Sequence, residues 1–388
     1  MTDQYVETTS QSWLSRLAGS LAGVIVGIVF ILISIGVLFW NEGRAVQTAR
    51  SLAEGGKIVL DVDPSPLDRA NESKLIHVSG NAVATAPLVD PEFGVSTVAL
   101  HLVRAAEMYQ WKEEKHEETH KSLGGSEETT TTYTYNKVWS DQAIDSHNFR
   151  QAGGHSNPPM KYTGFSATAA DATLGAFHPS TRVLDLLPLD RALRVDDGAA
   201  NTLKQRFTHI QVVDGKFFIG GDPDNPQIGD YRISYLTAPL GEVSFVGRQA
   251  GPDIVQYQTK AGDRLLMAAS GDETAAQMFK EAEEWNLYLT FAIRIGGFLF
   301  IWLGTYFILR PLVIVADVVP LIGSALAAGA GLVALAAAIV ETAAVIAIAW
   351  LWYRPLVSLI VLAVGLVVGL GLHRMSARRS VPASVPKT

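Results

Sequence analysis

Leu17 to Trp40 is a run of 24 residues without a charge. At 1.5 Å rise per residue a helix of that length reaches about 36 Å, enough to cross a hydrocarbon core of about 30 Å. No other segment constrains the fold as much, because in lipid every backbone polar group of the run must find its hydrogen bond inside a helix. A cleaved signal peptide would require a basic amino end, a shorter apolar stretch and a small-residue cleavage site. Here Asp3 and Glu7 precede the run and Phe39, Trp40 and Asn41 close it, so 17–40 reads as a retained signal anchor behind a tail at 1–16.

A second apolar block reaches His373. Its punctuation predicts a span at 286–309, a short loop at 310–319 around Arg310-Pro311, a span at 320–352, and a last span at 355–373 after Tyr353-Arg354-Pro355. The 320–352 run is long for one perpendicular helix, so it either tilts or lays its first turns at the interface. Basic residues near the span ends are nearly balanced, but Arg374, Arg378 and Arg379 directly follow the last span, where the positive-inside rule is counted. That places the 374–388 tail and the amino terminus in the cytoplasm and the domain at 41–285 across the membrane.

Composition narrows the chemistry. Hydrophobic residues make up 48% against 18% charged, a membrane protein's balance. The net charge of −7 leaves no basic domain for a phosphate backbone, so nucleic acid is not an expected partner. With no Cys there is no disulfide, thiolate metal site or cysteine nucleophile.

Between the apolar blocks the chain alternates like strands, at Lys57 to Asp61, Leu75 to Ser79 and Thr130 to Trp139. The clearest signal is Ile210 to Val213 and Lys216 to Ile219 flanking Asp214-Gly215, a pair whose positive φ preference suits a hairpin. After the first span a helical pattern continues from Asn41 to Gly55-Gly56, which is expected to end it. Ser270-Gly271-Asp272-Glu273 resembles a capping box ahead of an amphipathic helix. The Leu123 to Thr132 segment is low in complexity and reads as a mobile hairpin tip. The expected fold is a multi-pass α-helical membrane protein of four spans with a large β-rich α+β extracytoplasmic domain.

Several stretches together resemble one family. They are Asn41-Glu42-Gly43-Arg44-Ala45, Thr48-Ala49, Ser51 to Gly55, Asp90-Pro91 with Phe93-Gly94, Glu107 to Trp111, Asn157-Pro158, Gly229 to Arg232, Thr259-Lys260 with Gly262-Asp263, and Tyr353-Arg354-Pro355-Leu356. Over nearly its whole length the chain is similar to the transmembrane protein 43 family, also called LUMA. The resemblance implies a self-associating organiser of membrane protein complexes with no assigned enzymatic activity. In eukaryotes it implies the endoplasmic reticulum or inner nuclear membrane and contacts with emerin and lamins. The Ala, Gly and Val richness and short tails point to a bacterial homologue in the inner membrane, to which those partners would not transfer.

Three patterns could carry chemistry or contact. His116-Glu117-Glu118-Thr119-His120 fits H-E-x-x-H, in which a helix brings two imidazoles onto zinc, but it lies in a charged stretch between strand-like segments, and a solvated loop is the expected reading. Glu341 falls near the middle of the third span, where it could relay protons or cations or sit protonated and hydrogen bonded within the bundle. Gly19, Gly23 and Gly27 on the first span, and Gly365 and Gly369 on the last, repeat at intervals of four and let helix backbones approach. Packing among spans of one chain explains them, and contact between chains is the alternative.

The expected function is a non-enzymatic membrane scaffold without cofactor or metal, a homo-oligomer in the lipid bilayer. Its junction residues Asn41, Glu42 and Arg44 are expected to anchor the first helix to the domain or to headgroups. A conductance using Glu341 is the alternative, and a zinc hydrolase using His116, Glu117 and His120 a further one.

Overall fold

The computed structural model describes residues 3–360 and 363. Its α-helices include α1 (Trp13–Ile58), α2 (Thr181–Leu184), α3 (Asp197–Leu203), α4 (Ala275–Ala316) and α5 (Pro320–Tyr353). The chain forms two compact units. A β unit holds the described residues up to Ser10, Arg50–His120 and Glu127–Glu283, and a helical unit holds Gln11–Ala49, Lys121–Ser126 and the described residues from Glu284 onward.

In the β unit an eight-stranded sheet runs in the spatial order Asp3–Gln11, Glu127–Ser140, His101–Lys121, Tyr231–Ala238, Lys216–Ile219, Ile210–Val213. A seven-stranded sheet runs His178–Pro179, Asp253–Val255, Gly241–Ala250, Leu75–Val83, Leu60–Val62. Short strands branch from both. Their inner faces meet in one core in which Val78 and Phe245 of the second sheet join Leu102, Phe217 and Ile233 of the first, with Val183 and Leu184 of α2 and Leu203 of α3. Each large side chain so buried contributes about 1.5–3 kcal/mol. Alternation aims the even residues from Leu102 to Gln110 inward. The expected hairpin forms in register, Val213 opposite Lys216, with Asp214 at φ 53° and Gly215 at φ 77°.

The structure corrects several expectations here. Where 1–16 is expected as a cytoplasmic tail, the described part of it contains Asp3–Gln11, an edge strand of the eight-stranded sheet. Asp3 meets His155 Nε2 at 2.9 Å, and Glu7 pairs with Arg150. A strand hydrogen bonded into a sheet cannot have lipid between it and that sheet, so this segment belongs with the domain. Gly55-Gly56 does not end α1, which runs to Ile58. Gly55 instead lies against Leu265 and Phe279, where a Cβ would come within 2.4 Å and 2.8 Å of their side chains. The capping box is Thr274 with Gln277, reciprocally hydrogen bonded, and not Ser270 to Glu273.

In the helical unit α1, α4 and α5 are long and apolar enough to cross a membrane. Pro311 does not break the chain, because α4 continues through it to Ala316, so the 310–319 loop shrinks to the turn around Asp317. The third expected span coincides with α5 as one continuous helix. The expected span at 355–373, with Gly365 and Gly369, and the basic tail at 374–388 lie outside the described residues apart from 355–360 and 363. α1 and α4 touch where Gly27 meets Gly304: a Cβ on Gly27 would come within 2.5 Å of the Gly304 carbonyl oxygen.

Candidate functional site

The junction residues converge inside the helical unit. Glu42 is fully buried on α1 and accepts from Arg294 Nε at 2.7 Å and Nη2 at 2.8 Å, and from Trp350 Nε1 of α5 at 2.8 Å. Two residues on, Arg44 donates to Asn286 Oδ1 at 2.9 Å and Thr290 Oγ1 at 3.0 Å. Asn41, also fully buried, donates to the Thr290 carbonyl at 3.2 Å, and Asn286 returns a bond to the Ala45 carbonyl at 3.1 Å. Gly43 makes room for the Tyr353 ring, whose Cζ would lie 2.7 Å from a Cβ there, and Tyr353 also packs on Phe39 at 5.2 Å between centroids. The two signature stretches Asn41-Glu42-Gly43-Arg44 and Tyr353-Arg354 thus meet in space. Asn41, Glu42 and Arg44 fasten α1 to α4, and Glu42 also reaches α5, which corrects the expectation of domain or headgroup contacts. Arg294 was legible as a charge in a span that needs an acid at its own depth.

At the opposite end of α1 a second polar cluster forms. Asp317, fully buried in the turn between α4 and α5, accepts from Arg16 Nη2 at 2.6 Å and from Lys121 Nζ at 2.8 Å. Burial pushes its carboxyl up, but the hydrogen bonds from Lys121 and Arg16 outweigh that and hold it below the usual carboxylate range. The Gly125 carbonyl accepts from Arg16, Gly124 N–H donates to the Val318 carbonyl at 3.1 Å, and Gly125, at φ 78°, lies under the Trp13 indole. The Lys121–Ser126 tip is therefore held in place, not mobile.

The remaining candidates scatter. No described atom lies within 4 Å of where a Cβ on Gly19 or Gly23 would sit, so of that stripe only Gly27 is at a helix contact within the described chain. Glu341 on α5 has a buried Oε2 without a hydrogen-bond partner among the described residues, where a satisfied carboxyl was expected. His116 to His120 lies in the strand His101–Lys121. Residues four apart in a strand are about 13 Å apart, so the two imidazoles lack the spacing that a helix gives them. Among the described residues no group of three His, Cys, Asp or Glu could hold a metal.

In the β unit the other signature residues are bound within that same unit. Ser51 Oγ and Thr259 Oγ1 lie 2.9 Å apart, and the Glu54 carboxylate receives Lys260 N–H at 3.0 Å, which clasps the last turns of α1 to the Thr259–Asp263 turn. Asp90, fully buried, takes Arg104 Nη1 at 2.8 Å and the Tyr235 hydroxyl at 2.6 Å, with the Phe93 ring 5.0 Å from the guanidinium. Burial and the Asp90 hydrogen bond push the Tyr235 hydroxyl pKa up. Gln110 binds the carbonyl of Gln142 and the N–H of Ile144, and Asn157 binds Trp111 N–H and C=O. Burial lowers the pKa of His101, with Asp185 at 3.8 Å opposing.

Long apolar helices tied by buried polar side chains, together with a two-sheet β unit, define an integral membrane protein with a large hydrophilic domain. The family model described as transmembrane protein 43 matches residues 108–355. Transmembrane protein 43 of Homo sapiens is 32% identical over 97% of this chain and 95% of its own length. That of Mus musculus is 32% identical over 91% and 90%, and the Drosophila melanogaster homolog 28% over 84% and 88%. No solved structure matches. The chain belongs to the transmembrane protein 43 family, which is named for its membrane character and not for an enzyme.

Proposed function

We propose that the chain is a non-enzymatic membrane scaffold that organises membrane protein complexes and self-associates. The observation that carries this reading is the use made of the signature polar groups. Glu42, Asn41, Asp90, Gln110 and Asn157 each spend their hydrogen bonds on other parts of the same chain, as groups do that hold a shape. The glycine face at Gly19 and Gly23, uncovered by any described residue, supports contact between copies. In the proposed topology the β unit lies across the membrane from the Arg374, Arg378, Arg379 segment, which is cytoplasmic. The compartment is the inner membrane if the chain is bacterial, and the endoplasmic reticulum or inner nuclear membrane if it is eukaryotic.

In-cell crosslinking with mass spectrometry of co-purified proteins tests the reading. The expected result is links between copies of the chain and a recurring set of membrane proteins. Glu341→Gln keeps shape while abolishing ionisation, and a scaffold tolerates it. Ion flux in liposomes that this substitution removes, with no links between copies, would replace the scaffold with a conductance.

A further inference from the structure

A cleft of about 460 Å³ opens in the β unit, lined by Ser180, Arg182, Arg248, Gln256, Gln258 and Arg264 with two apolar neighbours. Its three arginines come from separate elements: Arg182 from α2, Arg248 from the strand Gly241–Ala250, and Arg264 from the ribbon that pairs Tyr257–Gln258 with Arg264–Leu265. No acid lines it, and among the described residues none of the three arginines has an ion-pair partner. Two other clefts of the same unit carry aspartates, Asp214 and Asp224 in one and Asp196 in the other. In a chain of net charge −7, three unpaired guanidiniums on one concave surface repel one another unless an anion lies between them.

The cleft is also braced. Gln258 Oε1 accepts from Arg264 Nε at 3.2 Å, while Gln258 Nε2 donates to the Gly262 carbonyl at 3.0 Å, so the amide fixes the base of the Arg264 side chain. Ser180 Oγ donates to the Ile254 carbonyl at 3.1 Å and ties the start of α2 to the strand that forms the floor. Planar guanidinium forks match phosphate oxygens two at a time, and Gln256 adds a neutral amide donor.

We propose that this cleft binds a phosphate-bearing anion, supplied either as the headgroup of an anionic phospholipid or as a soluble phosphate compound. Gln258 and Arg264 bracket the Thr259–Asp263 turn that Ser51 and Glu54 hold, so an occupied cleft also stiffens the seat of the last turns of α1.

The test uses the full chain in two arms. In detergent, thermal unfolding is followed while pyrophosphate is titrated, since a ligand that binds only the folded state raises the melting temperature. In the second arm, native mass spectrometry reads phosphatidylglycerol retained by chain extracted from phosphatidylglycerol-containing nanodiscs. The expected result is a signal in at least one arm, which names the source. Arg182→Gln should weaken it by about tenfold, and Arg182→Gln with Arg248→Gln should abolish it while the ligand-free melt stays that of the parent. Should the double variant not fold, the exposed Arg182→Gln carries the comparison. Silence in both arms, or a signal undiminished in the variants, overturns the site.

Discussion

Arg294 grips both oxygens of Glu42, Nε on Oε1 at 2.7 Å and Nη2 on Oε2 at 2.8 Å, and Trp350 adds a third donor to the same carboxylate. A charge with no solvent exposure is thereby shared among α1, α4 and α5. The pair sets which helix faces meet, because neither partner tolerates the absence of the other in a desolvated site.

Glu42→Ala should therefore destabilise the chain by about 3–5 kcal/mol, since it leaves Arg294 without its acid. Joining Glu42→Leu to Arg294→Leu should cost much less than the two single changes added together. Melting curves in detergent for the three variants decide this, and simple additivity would contradict it.

The glycines of α1 should differ by position. Gly27→Val puts a side chain into the Gly304 backbone and should cost about 1–3 kcal/mol through overpacking. Gly23→Val meets open space and should leave the melt unchanged while reducing crosslinks between copies. Equal crosslinking in the parent and Gly23→Val would remove that face from self-association.

His101 makes the domain acid-sensitive. Burial holds its folded pKa below the ordinary 6.5, so between the two values the unfolded chain binds a proton that the folded chain does not. Stability must then fall as pH drops below about 6.5 and level off below the folded value. Denaturation midpoints across that range should show the decline, and His101→Gln should flatten it.

Absence of native cysteine makes topology directly measurable. Thr8→Cys, on the exposed amino-terminal edge strand, should react with an impermeant thiol reagent on intact cells to the same extent as Asp222→Cys in the domain. A reporter fused after Lys387 should read cytoplasmic. If Thr8→Cys were protected while Asp222→Cys was labelled, the strand would not be in that sheet.

Local signals in the sequence were reliable where one short segment carried them. The Asp214-Gly215 hairpin needed only two residues of turn chemistry, and the apolar runs announced α1, α4 and α5 by length alone. The strand Asp3–Gln11 left no such signal, because it lies exposed on both faces at a sheet edge and shows no buried alternation. Pairings such as Asp90 with Arg104 and Tyr235, or Glu42 with Arg294 and Trp350, join distant segments. The residue types announced polar groups in need of partners, but no spacing rule named the partners. Arg310-Pro311 misled because a proline inside a membrane helix can be tolerated when its freed carbonyl is otherwise satisfied.

The amino-terminal strand also sets an order of events on the ribosome. Asp3–Gln11 leaves the exit tunnel well before the strand it pairs with, Glu127–Ser140, which follows more than a hundred residues later. Throughout that interval the apolar stretch of α1 is already available to the bilayer, while the segment before it waits with an unmatched row of backbone donors and acceptors. A bulky fusion at Met1 would burden that waiting strand during synthesis, whereas one after Lys387 arrives when every strand of the sheet has been made.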